Sequence, residues 1–331
     1  MLEIATNEDH SLLQKEFMAI LVVGSVAFDN IQTPHGAVDD CLGGAATHFA
    51  LAASYFTKVR VIAVVGKDFT AEHEAILTRR GVDTLGLERA NGLSFHWTGS
   101  YSGNMDEAKT LGTDLNVFET FEPKIPDAYK DSEYLFLANI DPALQARVRS
   151  QMPKVRMVCG DTMNYWIADH AANLAKVLRE LDVLLINDGE VRMLAGERNL
   201  VLAAEKVLTM GPKTLVVKHG EYGATAFFSD RSFPGAAKVS RPFRAPALPL
   251  AEVVDPTGAG DSFAGGFYGY LASQPELTPA VFRTAMFYGG VMGSFAVERF
   301  GTERLQNVTR QEIDQRFNLF REISHLDHTT A

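Results

Sequence analysis

Apolar runs and helical patterns alternate along most of the chain. From residue 18 onward, several runs of Val, Ile, Leu and Phe are nearly continuous and do not alternate with polar residues. Such runs are typical of parallel strands that are covered on both faces. The segments predicted as strands are AILVVGSV (19–26), VRVIAVVG (59–66), EYLFLA (133–138), VRMVCG (155–160), DVLLIN (182–187), TLVVKHG (214–220), ATAFFS (224–229) and LAEVV (250–254).

Helical patterns separate most of these strands, as in GGAATHFALAASYF (43–56) and TAEHEAILTRRG (70–81). Strand–helix–strand repetition predicts an α/β fold with an open, mostly parallel central sheet and right-handed crossovers. The repetition defines one predicted domain, residues 18–325. Residues 1–17 are expected to form an N-terminal extension, and residues 326–331 a C-terminal tail.

Two segments break this rhythm, residues 28–42 and 91–122. Both contain short stretches of Thr, Phe, Tyr or Trp between Gly, Asn and Pro, which predicts a few short antiparallel strands with tight turns. We expect the two segments to leave one edge of the core and to pair into a small β lid over a cleft. An ordinary edge extension or a dimer interface is the alternative, and an exposed strand edge would favour a homodimer.

Composition limits the classes of partner. The chain has 331 residues, of which 46% are hydrophobic and 22% charged, as in soluble globular proteins. A formal net charge of −10 argues against nucleic-acid binding, which calls for a basic surface. Small anionic ligands remain compatible with this charge, because local geometry binds them. We therefore expect a small-molecule substrate.

Cysteine usage and hydropathy indicate a cytoplasmic protein. Cys41 and Cys159 are far apart and belong to no metal-binding motif, so two buried free thiols are expected. The longest early apolar run, residues 19–28, is interrupted by Gly24 and is too short to span a bilayer. No basic segment of the kind that begins a secretory signal precedes it.

The segment VVDPTGAGDSFAGGF, residues 253–267, places glycines and two acids directly before a helical pattern. The turn Gly258-Ala259-Gly260 leads into that helix. Unpaired N–H groups and the helix dipole make such a start a site for phosphate oxygens. The spacing excludes two familiar phosphate loops, because a dinucleotide fingerprint has glycine where Phe263 stands and a P-loop requires Gly-Lys-Ser/Thr.

Asp261 lies in the first turn of the same helix, where a carboxylate would repel a bound phosphate. A carboxylate there is useful if it accepts the proton of a hydroxyl that attacks the γ-phosphate. The alternative is that Asp261 only caps the helix, which Asp often does. The residue alone does not decide between the two.

The segment DPTGAGDSFAGGF resembles the C-terminal signature of the PfkB family, the ribokinase-like sugar and nucleoside kinases. Further similar segments occur in the family's order over nearly the whole chain from residue 18. They are GSVAFD with LGGAATHFALAAS, VVGKDF, RRGVDT, INDGE as an Asn-x-x-Glu motif, and VVKHGEYGA. The resemblance implies a ribokinase-like fold and an ATP- and Mg²⁺-dependent kinase.

The resemblance also implies roles at the phosphate end of the site. Asp261 would be the catalytic base, and the amides of Gly258, Ala259 and Gly260 would form the anion hole. Asn187 and Glu190 would organise Mg²⁺ through phosphates and waters, although a helix start is the alternative for this pair. Lys218, Gly220 and Gly223 would lie along the nucleotide phosphates and ribose, although the solvated end of a strand is the alternative for Lys218. Thr257 would also lie at the nucleotide, and Asp255 and Thr257 are the candidate ligands of a monovalent cation such as K⁺.

At the substrate end, the resemblance assigns Asp29 to the substrate hydroxyls and Gly43 and Gly44 to close backbone approach. His48 either donates to a substrate hydroxyl or is a core histidine. Asp161 and Asn164 follow a predicted strand, and ligands in such sheets lie beyond the carboxyl ends of strands, so both are further candidates.

Departures from ribokinase bear on the acceptor. Ala27 stands where ribokinases have Asn, and GGAATH replaces GGKGAN, so that Ala45 and His48 replace Lys and Asn. These changes remove groups that would hold free ribose. A primary hydroxyl of another sugar or sugar derivative is the first expectation and a nucleoside the second. A ligand-sensing protein without catalysis is the rival from another class, and the missing third glycine argues against a dinucleotide-dependent oxidoreductase.

Overall fold

The computed structural model describes residues 18–103, 105, 107–233 and 241–325. The predicted extension 1–17 and tail 326–331 lie outside these residues. The strands are β1 (Ile20–Val23), β2 (Ala27–Thr33), β3 (Gly36–Gly43), β4 (Val59–Val65), β5 (Asp83–Arg89), β6 (Phe95–Ser100), β7 (Lys109–Asp114), β8 (Tyr134–Leu137), β9 (Met157–Asp161), β10 (Val183–Asn187), β11 (Thr214–Lys218), β12 (Ala224–Phe228) and β13 (Phe243–Ala245).

The α-helices are α1 (Ala45–Ala53), α2 (Ala71–Thr78), α3 (Pro142–Gln151), α4 (Asn164–Asp169), α5 (Ala171–Leu178), α6 (Asp188–Ala195), α7 (Leu200–Thr209), α8 (Ala259–Ala272), α9 (Pro279–Ala296), α10 (Glu303–Asn307) and α11 (Arg310–Ile323). Short 3₁₀ helices span Asn116–Thr120, Asp127–Tyr129 and Gly220–Tyr222. Among the described residues, no helix combines the length and hydrophobicity needed to span a bilayer.

The central sheet has nine strands in the order β13-β12-β11-β10-β9-β8-β1-β4-β5. From β11 to β5 every neighbouring pair is parallel, whereas β12 and β13 are antiparallel to their neighbours. The prediction of an α/β fold with a mostly parallel sheet is therefore confirmed. The parallel strands bring the carboxyl ends of β9, β10 and β11 together at one edge.

The strand predicted at 250–254 is wrong, since residues 250–254 contain no strand. The amides of Val254 and Asp255 donate to the carbonyl of Val297, which follows the end of α9. The segment therefore runs along the end of a helix and does not add to the sheet edge. It still leads directly into the turn before α8.

The two segments predicted to pair form a second sheet of four strands, in the order β3-β2-β6-β7. β2 with β3 and β6 with β7 are antiparallel, as predicted, but β2 and β6 run parallel. β2 follows β1 and β6 follows β5, and β1 and β5 belong to the same set of parallel strands. This common direction explains the parallel pair. The role of the second sheet as a cover remains a prediction.

The core consists of two layers, one on each face of the central sheet. Along β1, Ile20 and Val22 pack into one layer, and Leu21 and Val23 pack into the other. Helices α1, α8 and α9 cover the first layer, while α3, α5 and α7 contribute to the second. This double coverage is the physical reason for the continuous apolar runs.

Helix α8 is held tightly between α1 and α9. A Cβ at Gly265 would overlap the carbonyl of Phe49 in α1, and one at Gly266 would lie 2.5 Å from the carbonyl of Tyr288 in α9. The paired glycines thus let two helix backbones approach α8 from opposite sides. The start of α8, which carries the candidate chemistry, is therefore anchored by close packing.

Candidate active site

The first turn of α8 presents free amides. Gly258 is the residue before the helix and has a left-handed backbone, with φ of 71°. No acceptor among the described residues pairs with the amide of Gly258 or Gly260, whereas the Ala259 amide donates to the Pro256 carbonyl at 3.2 Å. Of the three amides assigned to the anion hole, two are thus free in the described structure and one is engaged within the turn.

Asp261 is half-buried in this turn, and its carboxylate accepts no hydrogen bond from any other described residue. Burial, with Asp161 as the next cause, raises the pKa of Asp261 from 3.8 to about 7, and Lys218 opposes the rise. The position before the helix belongs to Gly258. These facts favour the interpretation of Asp261 as a base over that of a cap, because a pKa near neutrality suits proton transfer.

Lys218 ends β11 and joins the start of α8 to the neighbouring strand ends. Its Nζ lies 3.2 Å from Oδ2 of Asp161, at the end of β9. A Cβ at Gly260 would lie 3.0 Å from the same Nζ. Burial alone would lower the pKa of Lys218, but Asp161, Glu190 and Asp261 raise it above its usual value, so the ammonium keeps its proton.

Asn187 and Glu190, the predicted Mg²⁺ organisers, form a capping box at the start of α6. The Asn187 side chain accepts from the Glu190 amide and Glu190 Oε2 accepts from the Asn187 amide, both at 2.8 Å. The helix-start alternative is therefore present in the structure. Among the described residues, only Asn187 hydrogen-bonds the Glu190 carboxylate. Burial raises the pKa of Glu190 to about 7, with Asp161 as the second cause.

Asp29 lies in the second sheet and is only 4% exposed. A Cβ at Gly43 would overlap the Asp29 carboxylate, which explains the glycine, and the Gly44 amide donates to Asp29. Burial, followed by the charge of Asp255, raises the pKa of Asp29 to about 7. Gly44 has φ of 92°, and a Cβ there would lie 2.5 Å from the Ser25 carbonyl.

His48 lies in α1 and is 1% exposed, yet neither ring nitrogen has a hydrogen-bond partner among the described residues. Its ring occupies the space that a Cβ of Gly258 would take, so it packs directly against the turn before α8. Burial lowers the pKa of His48 to about 4, and the ring is therefore neutral. A neutral imidazole offers one donor and one acceptor to a ligand.

Asp255 and Thr257 connect the turn before α8 to two other segments. Asp255 is fully buried and accepts from the amides of Thr257 at 2.9 Å and Gly301 at 2.8 Å. The Thr257 hydroxyl donates to the hydroxyl of Tyr101, which follows β6, at 3.1 Å. Burial raises the pKa of Asp255, and the two amides oppose the rise.

The remaining predicted positions are more peripheral. Asn164 is exposed, and its side chain accepts from the Tyr165 amide, so the structure shows no contact between it and the groups above. Gly220 and Gly223 shape the turn between β11 and β12, where the His219 amide donates to the Gly223 carbonyl. Both glycines have positive φ.

The aromatic residues predicted in the second sheet pack mainly among themselves or with their neighbours. Phe118 stacks with Phe95 and with Phe121 at 5.6 Å. Trp97 donates to the Thr110 hydroxyl. Tyr101 is the member that reaches the turn before α8, and its contact with Thr257 has no local sequence signal, since the two residues are 156 positions apart.

Comparison with known proteins supplies the wider context. A family described as pfkB family carbohydrate kinase matches residues 17–308. The chain is 29% identical to a cytidine kinase of Thermococcus kodakarensis over 266 residues, which cover 77% of this chain and 90% of the relative. It is 26% identical to a nucleoside kinase of Methanothermobacter thermautotrophicus, with coverages of 86% and 91%.

A solved structure of a putative ribokinase II from E. coli, in complex with ATP and Mg²⁺, has a TM-score of 0.73 to this chain. Its sequence identity is 19%, and the match covers 91% of this chain and 99% of the other. At this level of identity, the likeness shows that the two chains share a fold.

Proposed function

Because this chain belongs to the PfkB family of carbohydrate kinases and is an ATP-dependent phosphotransferase, we propose that its acceptor is a nucleoside. The transferred group would be the γ-phosphate of ATP, and the attacking group a primary hydroxyl. Two relatives whose names specify nucleoside substrates, each matched over most of its length, support this choice. The order of acceptors expected from sequence, a sugar before a nucleoside, is thereby reversed.

The main support for catalysis is that Asp261 and free backbone amides lie in the same turn at the start of α8. A carboxylate whose pKa is near 7 can accept the proton of an attacking hydroxyl. The amides of Gly258 and Gly260, which have no acceptor among the described residues, would stabilise the charge that develops on the transferred group. The base and the anion site are thus fixed relative to each other by the backbone of α8.

We assign the binding of the acceptor to Asp29 and His48. Both side chains are buried, and the Asp29 carboxylate can accept from substrate hydroxyls. His48 lies against Gly258 with unpartnered ring nitrogens, so a substrate hydroxyl beside the transferred phosphate would complete its hydrogen bonds. The lysine and asparagine that ribokinases place here are Ala45 and His48 in this chain, which supports an acceptor other than free ribose.

Mg²⁺ fits the set of residues beside the phosphate site. The Glu190 carboxylate offers the hard oxygen ligand that this cation prefers, with waters and phosphates completing its coordination. When bound, Mg²⁺ neutralises charge on the nucleotide phosphates. Asn187 would fix the Glu190 carboxylate through the capping box. The ATP–Mg²⁺ complex of the E. coli structure supports the use of ATP and Mg²⁺, and the roles of Glu190 and Asn187 remain proposals.

Three further assignments remain predictions. Asp255 and Thr257 are candidate ligands of a monovalent cation such as K⁺, although both carboxylate oxygens of Asp255 already accept backbone amides. A homodimer through the second sheet and a cytoplasmic location are likewise expected from the sequence alone. Activity in K⁺ compared with Na⁺ and the mass of the protein in solution test the first two.

A direct experiment measures ADP release with Mg²⁺ and ATP over a panel of acceptors. Cytidine, adenosine and inosine are compared with ribose and fructose, and Asp261→Asn is the control for contaminating kinases. The proposal expects the highest kcat/KM with one of the nucleosides. Faster turnover of a sugar would overturn the nucleoside assignment, and tight nucleoside binding without ADP release would favour the sensor alternative.

A further inference from the structure

A buried ion pair crosses the carboxyl edge of the central sheet between Asp161 and Lys218. Asp161 ends β9 and Lys218 ends β11, and the two strands flank β10, in which Asn187 is the register partner of Lys218. The side chains are 7% and 18% exposed, respectively. The pair therefore spans the strand that ends at Asn187 and leads into the helix of Glu190.

The ammonium of Lys218 lies against the first turn of α8. The absence of a side chain at Gly260 leaves the space in which Nζ lies, 3.0 Å from the position of a Cβ. A helix N-terminus carries partial positive charge, so a lysine there is electrostatically unfavourable on its own. The Lys218 ammonium and the positive N-terminal end of α8 thus lie close together. An anion bound between them would relieve their mutual repulsion.

The hydrogen-bonding capacity of the ammonium is not used up. A lysine ammonium has three donors, and Asp161 is its only hydrogen-bond partner among the described residues. Glu190 and Asp261 act on Lys218 through charge without a hydrogen bond. Donors therefore remain available on an ammonium that interacts through charge with both the candidate Mg²⁺ residue and the candidate base.

Asp161, by contrast, already accepts a hydrogen bond at each carboxylate oxygen. Oδ1 accepts from the Thr162 amide at 2.7 Å and Oδ2 accepts from Lys218 at 3.2 Å. Its backbone carbonyl accepts from the buried side chain of Gln145, which also binds the Ala138 carbonyl. These contacts hold the Asp161 side chain in place at the end of β9, which suits a positioning role.

On the premise that the chain transfers phosphate as proposed above, we infer that Lys218 contacts the transferring phosphoryl group and stabilises its charge in the transition state. Asp161 is then a positioning residue, which holds the ammonium beside the first turn of α8. Positive groups that act on the transferred phosphoryl group accelerate such reactions because they bind the transition state more strongly than the ground state. The ammonium supplements the free amides of Gly258 and Gly260.

The test compares Lys218→Met, Lys218→Arg and Asp161→Asn with the full-length wild-type enzyme. Lys218→Met should lower kcat by roughly 10²- to 10³-fold, as for the loss of one transition-state donor, with a smaller effect on the KM for ATP. Lys218→Arg, which keeps the charge, should recover part of kcat. Asp161→Asn should lower kcat in the same direction by a smaller factor and leave the KM for the acceptor unchanged.

A binding measurement separates this role from a structural one. Affinity for Mg·ADP alone is compared with affinity for Mg·ADP plus aluminium fluoride, which mimics the transferring group. Lys218→Met should weaken the second and largely spare the first. Lys213→Met is the matched control, because Lys213 pairs with Asp182 at 2.6 Å beside the opposite end of β11. This control should change neither affinity, and melting temperatures show whether each variant folds.

Two results would overturn the inference. One is a Lys218→Met enzyme that is folded and retains wild-type kcat and aluminium fluoride affinity. The other is an Asp161→Asn enzyme with a raised acceptor KM and an unchanged kcat, since this would restore Asp161 to the acceptor site. Failure of the proposed function has a different signature, because the wild-type enzyme itself would then release no ADP with a nucleoside.

Discussion

The hydroxyl of Thr257, in the turn that precedes α8, donates a hydrogen bond to the hydroxyl of Tyr101, which follows β6 in the second sheet. The backbone amide of Thr257 also donates to Asp255. Thr257 therefore links the second sheet to the turn that precedes α8. Burial raises the pKa of Tyr101 to about 12, and its hydroxyl is therefore neutral at physiological pH. The second sheet is thus connected to the turn whose amides are free.

Removal of this contact should weaken binding of the acceptor. Tyr101→Phe deletes one neutral hydrogen bond, worth about 0.5–1.5 kcal/mol net, and so releases the second sheet from the turn. We expect a higher KM for the acceptor and a smaller change in kcat, measured by steady-state kinetics. Tyr55→Phe is the control, because Tyr55 donates to the Leu305 carbonyl away from the site. Unchanged kinetics for Tyr101→Phe would show that the contact does not contribute to binding.

The pH dependence of kcat/KM should follow Asp261. Its raised pKa means that the carboxylate becomes protonated as the pH falls through about 7, and a protonated acid cannot accept the substrate proton. We therefore expect kcat/KM to fall on the acidic side of about pH 7, measured in the free enzyme at low substrate concentration. A rate that is constant from pH 8 down to pH 5 would contradict this assignment.

Asp29 should make folding stability depend on pH. Burial raises its pKa from 3.8 to about 7, so between these values the folded state binds a proton that the unfolded chain has lost. The contribution of Asp29 to stability is therefore present at low pH and falls as the pH rises from about 4 to 7, by a few kcal/mol at most. Asp29→Asn should reduce this pH dependence in urea unfolding at pH 5 and pH 8. An identical dependence in both proteins would contradict the burial argument.

Substitution of His48 distinguishes a role in acceptor binding from a role in core packing. If its ring nitrogens await a ligand, His48→Leu should stabilise the free protein by roughly 1–3 kcal/mol, because two buried unpartnered nitrogens disappear. The same variant should raise the KM for the acceptor. Thermal unfolding and steady-state kinetics report the two effects separately. A gain in stability with unchanged kinetics would mean that His48 is a core residue only.

Gly258 should not tolerate a side chain. Gly258→Ala combines a left-handed backbone with overlap between the new Cβ and the His48 ring, so it should destabilise the fold. Gly196→Ala is the matched control, because Gly196 is also left-handed, with φ of 59°, but has open space around its Cβ. The control should lose about 1–2 kcal/mol, and Gly258→Ala more, in denaturant unfolding. Equal losses of stability in the two variants would show that overlap with the His48 ring adds no further destabilisation.

Much of the fold followed from patterns that are local in the sequence. Continuous apolar runs such as 182–187 and 214–220 revealed the buried parallel strands, because burial on both faces removes alternation. The glycine-rich stretch 253–267 indicated a helix after the turn Gly258-Ala259-Gly260, and the helix begins within that turn, at Ala259. The strand predicted at 250–254 was wrong, because an apolar run before a glycine turn is also compatible with a segment that hydrogen-bonds to the end of a helix. Here the acceptor is the carbonyl of Val297.

The candidate site was less predictable because it depends on which strands are neighbours. Asp161 and Lys218 were each identified in the sequence, but their ion pair requires the order β9-β10-β11, which no local pattern specifies. The direction of β2 relative to β6 was likewise missed for reasons of topology. Asn187 and Glu190 remained ambiguous because the Asn-x-x-Glu spacing is both a family motif and a capping box.

The proposed phosphate transfer depends on Asp261 as a base beside free amides. ADP release by Asp261→Asn at saturating Mg·ATP and nucleoside measures this dependence most directly. Affinity for Mg·ATP is measured on the same preparation. We expect Asp261→Asn to lower turnover by roughly 10²- to 10⁴-fold and to preserve most of the nucleotide affinity. Turnover at the wild-type rate would contradict the role of Asp261 as a base.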